Sequence, residues 1–416
     1  MPNVIATYVR RVGAFSYNAR LYLVSAVLTG AAMGVYRLLF NFYVLSLGFD
    51  ASLLGQLLTV TNTTALLTAV PMGYLADRLG RKLSLLLGLG AVSLSILIIV
   101  WAPSVGMFYA MNVLIGAAQS LSAVTMSPFL LENSGEEERT YLFSLSSGLQ
   151  MAAAFVGNSI GGYLPTWVAS SRGAEPTSSF AYAGALGIIG LASLLGLFPL
   201  FFLKSTASVN RTFFDPFSYA KKHPVLLGQL VGPMLVTSIG AGLFMPFMNV
   251  FFRVVHHQPD PVIGNVLAWG ALAMGIGLII APPLADRFGK VRLVVVTQGI
   301  SIPFLMLLGF APYFWMAALA HYVRLSLMNM SGPVYQTFVM EHVEPDARST
   351  VASLVNMSNN FGWAFSPSIS GFLQVNYGFG PVYATVIALY VLAVFMYWKF
   401  FWAARPLPSY VTGIAD

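Results

Sequence analysis

The chain has 416 residues, of which 57% are hydrophobic and only 8% are charged, and its formal net charge is +7. Water-soluble domains carry roughly 25% charged residues, so this composition excludes an ordinary soluble protein and favours one whose surface faces lipid. Because the sequence contains no cysteine, it also excludes disulfides, thiol catalysis and thiolate metal sites.

Long apolar runs follow one another along the whole sequence, separated by short polar turns. Most of them reach the roughly 20 residues that a helix needs to cross a bilayer. They predict an all-α membrane protein with twelve transmembrane helices. In chain order the segments are Arg20–Leu47, Ser52–Ala76, Leu83–Ala102, Val105–Leu131, Tyr141–Val168, Phe180–Leu203, Val225–Val255, Val262–Ala285, Leu293–Phe310, Tyr313–Met340, Thr350–Val375 and Pro381–Trp402.

Positive charges are distributed unevenly between the two ends of these segments. Seventeen Lys and Arg residues fall on one side of the membrane, and only Arg172 and Arg253 fall on the other. Since Lys and Arg are retained in the cytoplasm, the asymmetry predicts a multi-pass protein of the cytoplasmic membrane with both termini inside. The bases are not interleaved with stacking aromatics, so no nucleic-acid partner is predicted.

The longest polar connection, residues 204–223, separates two sets of six apolar segments. It predicts an N-terminal bundle at 1–203, a cytoplasmic linker at 204–223 and a C-terminal bundle at 224–416. Prolines Pro233 and Pro246 predict a bend in the seventh helix.

A short motif is repeated in the two halves. Leu-Ala-Asp-Arg-x-Gly followed by a base ends the second helix at Asp77 and the eighth at Asp286, an offset of 209 residues. The same offset relates Glu132 to Glu341 and Arg139 to Arg348. Two separate features with one offset indicate internal duplication.

The first copy resembles the cytoplasmic signature of the major facilitator superfamily, Gly-x-Leu-Ala-Asp-Arg-x-Gly-Arg-[Arg/Lys]. The matching residues are Gly73, Leu75, Ala76, Asp77, Arg78, Gly80, Arg81 and Lys82. The second copy departs from the signature at its first position, where Pro282 replaces glycine. The resemblance implies the major facilitator fold of two homologous six-helix bundles, secondary transport by alternating access, and a central cavity lined by helices one, four, seven and ten.

Asp77 is the centre of a predicted gating cluster. Its carboxylate suits the electropositive start of a helix from the other half, and Thr350 is a candidate position for that start. The resemblance implies the same role, a latch on the cytoplasmic side. Gly73 would permit close helix contact and Gly80 a tight turn. The full predicted gating set is Gly73, Asp77, Arg78, Gly80, Arg81, Glu132, Arg139, Asp286, Arg287, Glu341 and Arg348. The alternative is that the bases only fix topology.

Two arginines lie near the middle of predicted helices, Arg37 in the first and Arg324 in the tenth, whereas no Asp or Glu lies there. A guanidinium costs at least ~2.5 kcal/mol in the bilayer, so each should meet water, a partner or a ligand. Both helices line the cavity that the resemblance implies, so the pair predicts an anionic substrate gripped from both halves. The alternative is that backbone carbonyls or amides such as Asn41 and Asn329 satisfy them.

The remaining predicted substrate contacts are neighbours of these arginines or large aromatics. His321, three residues before Arg324, could titrate with the transport cycle, and a structural hydrogen bond is its alternative role. The complete predicted substrate site is Arg37, Arg324, Asn41, Tyr36, His321, Trp269 and Trp363.

These observations predict a secondary transporter for an organic or amphipathic anion. The alternatives are a multidrug exporter of lipophilic compounds and a lipid or lysolipid flippase. No enzyme activity, metal site or cofactor is predicted, although coupling to a proton or another ion gradient is possible through Glu132, Glu341 or a histidine. The expected partners are a small-molecule substrate and the lipid bilayer, and a monomer is expected.

Overall fold

The computed structural model describes residues 12–135, 138–204, 224–343 and 348–403. Within them the chain is helical and contains no strand. Twelve long helices occur in the predicted order, and we number them α1 to α12. Their bounds are Tyr17–Ser46, Ala51–Leu79, Arg81–Trp101, Val105–Glu132, Arg139–Gly161, Ser179–Leu195, Pro224–Phe244, Asp260–Phe288, Lys290–Phe310, Phe314–Glu341, Arg348–Tyr377 and Phe379–Tyr397.

The fold class was therefore predicted correctly, but three helices differ from the predicted segments. The fifth segment is divided, because α5 stops at Gly161 and a separate short helix follows at Leu164–Ser170. The sixth segment is divided, because α6 ends at Leu195 and a separate short helix follows at Phe198–Phe201. The seventh is interrupted by a 3₁₀ turn at Met245–Phe247, which contains Pro246, before a short helix at Met248–Val254. Proline lacks the N–H that would continue the helical ladder, so a break is expected at this point.

In the described residues, nine helices are long and apolar enough to cross a membrane, judged by length and composition. The three long helices outside this group are α5, α10 and α11. Helix α10 carries His321 and Arg324 at mid-length, and α11 has several asparagines.

The described residues form two compact units. The first lies within Met1–Asp50, Val60–Arg211 and Gln258–Ala268, and the second within Ala51–Thr59, Thr212–His257 and Trp269–Asp416. The start of α2 belongs to the second unit and the start of α8 to the first, and the predicted division into two bundles and a linker stays a prediction. Beyond residue 204, the predicted linker lies outside the described residues.

Each unit repeats the same helix packing. In the first unit α1 packs against α5 and α6, and α3 packs against α4 and α6. In the second, α7 packs against α11 and α12, and α9 packs against α10 and α12. Every pair recurs six helices later, as expected for two copies of one bundle.

Glycine makes the closest of these packings possible. A Cβ on Gly157 of α5 would lie 2.2 Å from the Ala31 carbonyl oxygen of α1, and one on Gly362 of α11 would lie 2.1 Å from Ser238 Oγ of α7. Because lipid tails supply no hydrophobic drive between membrane helices, close backbone approach of this kind is a main source of their association.

Candidate functional site

The first copy of the repeated motif is built around the α2–α3 turn. Helix α2 ends at Leu79, Gly80 adopts a left-handed φ of 78°, and α3 starts at Arg81. This turn aims Arg81 at two carboxylates: its Nη1 lies 2.9 Å from Asp77 Oδ1, and its Nη2 lies 3.1 Å from Glu132 Oε1 on α4. The Arg81 side chain is only 4% exposed. One buried cation therefore ties together the ends of three helices.

The second copy has the same backbone but a more open arrangement of charges. Gly289 has a φ of 85°, and Lys290 forms an ion pair with Glu341 on α10, the counterparts of Gly80, Arg81 and Glu132 at the offset of 209. Both partners of this ion pair are 30% exposed, and Asp286 is exposed to solvent. The repeat predicted from sequence thus extends to the ion pairs themselves.

Several predicted gating residues lie apart from these ion pairs. Arg78 stacks over the Tyr74 ring at 4.7 Å, and Arg287 stacks over Phe288 at 5.3 Å. Gly73 has no heavy atom of another described residue within 4 Å of an ideal Cβ, so the close helix contact predicted there is not present in this structure.

Three further residues of the predicted latch cannot be placed. The side chains of Arg139, Arg348 and Thr350 lie outside the described part of the chain. The latch between Asp77 and the start of α11 consequently remains a prediction.

The two membrane arginines have different surroundings. Arg37 is exposed on α1 between the buried Tyr36 and Leu38, and it forms no hydrogen bond or ion pair with any residue that the structure describes. Arg324 on α10 is only 3% exposed, with its guanidinium carbon 4.6 Å from the ring centres of both Phe244 and Tyr390. The two arginines therefore differ in exposure in this structure.

Arg324 is held inside the second unit by aromatic faces rather than by amides. Its Nε and Nη2 atoms are buried and have no hydrogen-bond partner among the described residues. The amide of Asn329, one suggested partner, donates instead to the Leu325 carbonyl at 2.8 Å. Stacking between two rings stabilises the cation by its interaction with their π-faces. Arg324 is therefore sealed from solvent in the conformation observed.

The other predicted substrate contacts differ in how far their side chains are exposed to solvent. Asn41, Tyr36 and His321 are buried, at 3%, 7% and 2% exposure, whereas Trp269 is 53% exposed and Trp363 is intermediate. Tyr36 stacks on Phe40, and the rings are 5.1 Å apart. His321 packs against Phe252 and closely approaches Gly270 of α8. Tyr36 and Asn41 belong to the first unit, and His321, Trp269 and Trp363 belong to the second, so their meeting around one ligand stays a prediction.

Sequence reasoning missed a buried carboxylate at the start of α8. Asp260 is 6% exposed, and it accepts a hydrogen bond of 2.7 Å from Tyr182 Oη on α6. Asp260 lies in the first turn of α8, where an acidic side chain is favoured whether or not it is buried, so its position does not indicate burial. Tyr182 in the first turn of α6 is a weak signal of this contact, because a buried tyrosine hydroxyl usually has a hydrogen-bond partner.

His256 lies in the loop before α8, where its ring packs against the rings of Phe251 and Phe314. Burial lowers the pKa of His256, and the neighbouring His257 lowers it further.

The duplicated bundle, the motif and the paired ion bridges all point to one superfamily. The sequence profile described as Major Facilitator Superfamily matches this chain twice, over residues 22–259 and 234–416. The chain belongs to the major facilitator superfamily. It is a multi-pass integral membrane protein and a secondary transporter, not an enzyme.

Relatives within the superfamily are similar over almost their whole length. The "Multidrug resistance protein MdtG" of Proteus mirabilis is 24% identical over 400 residues, covering 92% of this chain and 96% of that protein. The protein of the same name from Enterobacter lignolyticus is 24% identical over 390 residues, covering 90% of each.

Solved structures share the fold at low sequence identity. The D-xylose–proton symporter gives a TM-score of 0.72 at 16% identity, covering 94% of this chain and 98% of that one. A bacterial homologue of the human lysosomal transporter Spinster, inward-facing and occupied, gives 0.73 at 15% identity, covering 92% and 96%. At such identities the likeness establishes the fold of the superfamily and leaves the substrate open.

Proposed function

We propose that this chain exports amphipathic organic molecules bearing an anionic group, by alternating access. The observation that carries the proposal is Arg37, an exposed and permanently charged guanidinium at mid-length on α1 that no described residue pairs. A charge at this depth is costly unless it meets water, a partner or a ligand. An anionic group on the substrate would supply the missing partner.

The distribution of carboxylates supports the sign of the substrate charge. Within the long helices, Asp and Glu occur only in the terminal turns, at Asp77, Glu132, Asp260, Asp286 and Glu341. A transporter that bound organic cations would be expected to place a carboxylate at the depth of the substrate. Here the only charges at mid-depth are guanidinium groups, which bind carboxylates and phosphates through paired hydrogen bonds.

Arg324 takes a secondary place in this proposal. Its contact with substrate would require the rings of Phe244 and Tyr390 to separate, because both faces of the guanidinium are covered. We therefore assign the anion contact to Arg37 first. Tyr36, Asn41 and His321 lie within one helical turn of one or other arginine and are proposed to orient that contact.

A second candidate is the export of neutral or cationic lipophilic compounds. The relatives named for multidrug resistance favour export of this kind, and the burial of Arg324 removes one of the two predicted anion contacts. The exposed Trp269 and the half-buried Trp363 would then offer aromatic surface to a lipophilic substrate.

The orientation and the gate form the third part of the proposal. The charge asymmetry of the loops supports a cytoplasmic location for both termini and for the α2–α3 and α8–α9 turns. Asp77 and Asp286 would close that side, and we expect the double variant Asp77→Asn, Asp286→Asn to lose most of its transport while remaining folded. Unchanged transport by this variant would exclude the latch.

A proton gradient is the proposed energy source for transport, and a monomer is the proposed transporting unit.

Ligand-induced thermal stabilisation tests the substrate class directly. Purified protein is titrated with organic anions, phosphorylated compounds, lysolipids and cationic drugs, and Arg37→Gln is compared with Arg172→Gln, which removes an exposed arginine remote from mid-helix. Hydrogen bonds to a charged group contribute about 1.5–3 kcal/mol, so Arg37→Gln should weaken anion binding about 10- to 100-fold. Arg172→Gln should leave it unchanged.

Two results would decide against the anion proposal. One is stabilisation by cations that is equal in the parent protein and in Arg37→Gln. The other is anion binding that Arg37→Gln leaves intact. Either result would favour the export of neutral or cationic lipophiles.

A further inference from the structure

A basic concavity lies at the junction of α8 and α9, entirely within the second unit. Its volume is about 560 Å³, and its lining includes Arg287, Lys290 and Arg292. Lys290 is neutralised by Glu341, whereas Arg287 and Arg292 are exposed and contact only the rings of Phe288 and Trp402 in the interactions described. This surface therefore presents two arginines that form no ion pair with any described residue, although the exposed Asp286 adjoins Arg287 in the chain, beside a recess wide enough for a polar headgroup.

The first copy of the motif has the same turn but fewer accessible bases among the residues that the structure describes, where Arg78, the counterpart of Arg287, is exposed over the Tyr74 ring. Arg81, the counterpart of Lys290, is buried and forms ion pairs with two carboxylates. Lys82 donates a hydrogen bond of 2.6 Å to the Phe201 carbonyl oxygen. The position equivalent to Arg292 is Leu83. The difference between the copies is thus the exposed Arg292, which the second copy carries where the first has leucine, and the motif does not require it.

Arg292 lies near the start of α9, and an exposed row of apolar side chains follows it along this helix. On the same helix, Val296, Ile300, Met306 and Phe310 are 43%, 49%, 50% and 57% exposed, and their positions place them on one face of the helix. An outward apolar stripe on a spanning helix is a surface for acyl chains. A ligand bound at Arg292 would therefore continue along Val296 and Ile300 as hydrocarbon.

We propose that this concavity binds the phosphate headgroup of an anionic phospholipid. Arg287 and Arg292 hold the phosphate, and the acyl chains lie along the outward face of α9. Trp402, 41% exposed and 5.9 Å from the Arg292 guanidinium, takes the interfacial position that tryptophan favours in membranes. The lipid belongs to the leaflet that contains the α8–α9 turn, and the site is independent of the transported substrate.

Native mass spectrometry of the full chain released from detergent tests this proposal. The probes are phosphatidylglycerol, phosphatidylcholine and inorganic phosphate, and the variants are Arg292→Gln, Arg292→Lys and the matched control Arg172→Gln, whose arginine also lies over a ring, Phe180, at 5.1 Å. Each base near an anionic lipid contributes about 1 kcal/mol, so Arg292→Gln should weaken phosphatidylglycerol binding about five-fold. Arg292→Lys keeps the charge and should bind as the parent does.

The outcomes separate a lipid site from a free-anion site. Preferential retention of phosphatidylglycerol over phosphatidylcholine, lost in Arg292→Gln and kept in Arg172→Gln, supports the proposal. Equal retention of phosphatidylglycerol by the parent and Arg292→Gln overturns it. Inorganic phosphate that competes as well as the lipid also overturns it, because the apolar stripe would then contribute nothing.

Discussion

The ion pairs of the two motif copies provide a matched test of how burial sets the strength of a salt bridge. Replacing Arg81 by Met removes a cation that is 4% exposed, and it leaves Glu132, itself 15% exposed, without that partner. Breaking a buried pair in this way costs about 3–5 kcal/mol. The Asp77 carboxylate is 42% exposed, so solvent screens its share, and we expect a total loss of about 3 kcal/mol for Arg81→Met.

Lys290→Met is the control, because it removes the equivalent base of the second copy. Both Lys290 and Glu341 are 30% exposed, so the expected loss is about 1 kcal/mol or less. The free energy of unfolding would be measured by denaturant titration in one detergent, with helical circular dichroism as the signal. Equal losses in the two variants, or a negligible loss in Arg81→Met, would refute the assignment of Arg81 as the buried tie between α2, α3 and α4.

Three other predictions can be checked with the same unfolding assay. Gly80→Ala should cost about 1–2 kcal/mol because φ is +78°, whereas Gly73→Ala, which has open space at Cβ, should change stability by less than about 0.5 kcal/mol; equal effects would contradict the turn argument. Tyr182→Phe should cost about 1.5–3 kcal/mol, since it removes a donor from the buried Asp260 carboxylate, and a neutral change would mean that water replaces the hydroxyl. Arg324→Met should retain or raise stability because it removes a buried charge, so a large loss would show that the ring contacts outweigh desolvation.

The sequence was sufficient to predict the twelve helices and the duplication, because both depend on signals that are local or exactly repeated in register. Apolar length indicates a spanning helix wherever it occurs. The common offset relates Arg81 to Lys290 and Glu132 to Glu341, so the second ion pair follows once the first is known. What the offset could not predict is the difference in burial between the two pairs, which depends on the packing around each one.

The two membrane arginines mark the limit of sequence reasoning more clearly. Arg37 and Arg324 share residue type and both lie well inside a long helix, yet one is exposed and the other is enclosed by rings. Phe244 and Tyr390, which enclose Arg324, lie 80 and 66 residues away in the sequence. Neither helical periodicity nor the resemblance to a family specifies which distant rings meet at a given guanidinium. Only the packing of α7, α10 and α12 does so.

Burial separates the cations that the fold covers from those that it leaves accessible. Duplication supplies the chemically similar positions Arg81 and Lys290, whereas Arg37 and Arg324 are not related by the offset of 209 residues. Arg81 and Arg324 are almost inaccessible, and protein groups cover each of them. Lys290, with its neighbour Arg292, and Arg37 remain accessible. Because a cation that the protein has not satisfied must find its partner elsewhere, the accessible members are the ones expected to meet lipid headgroups and substrate.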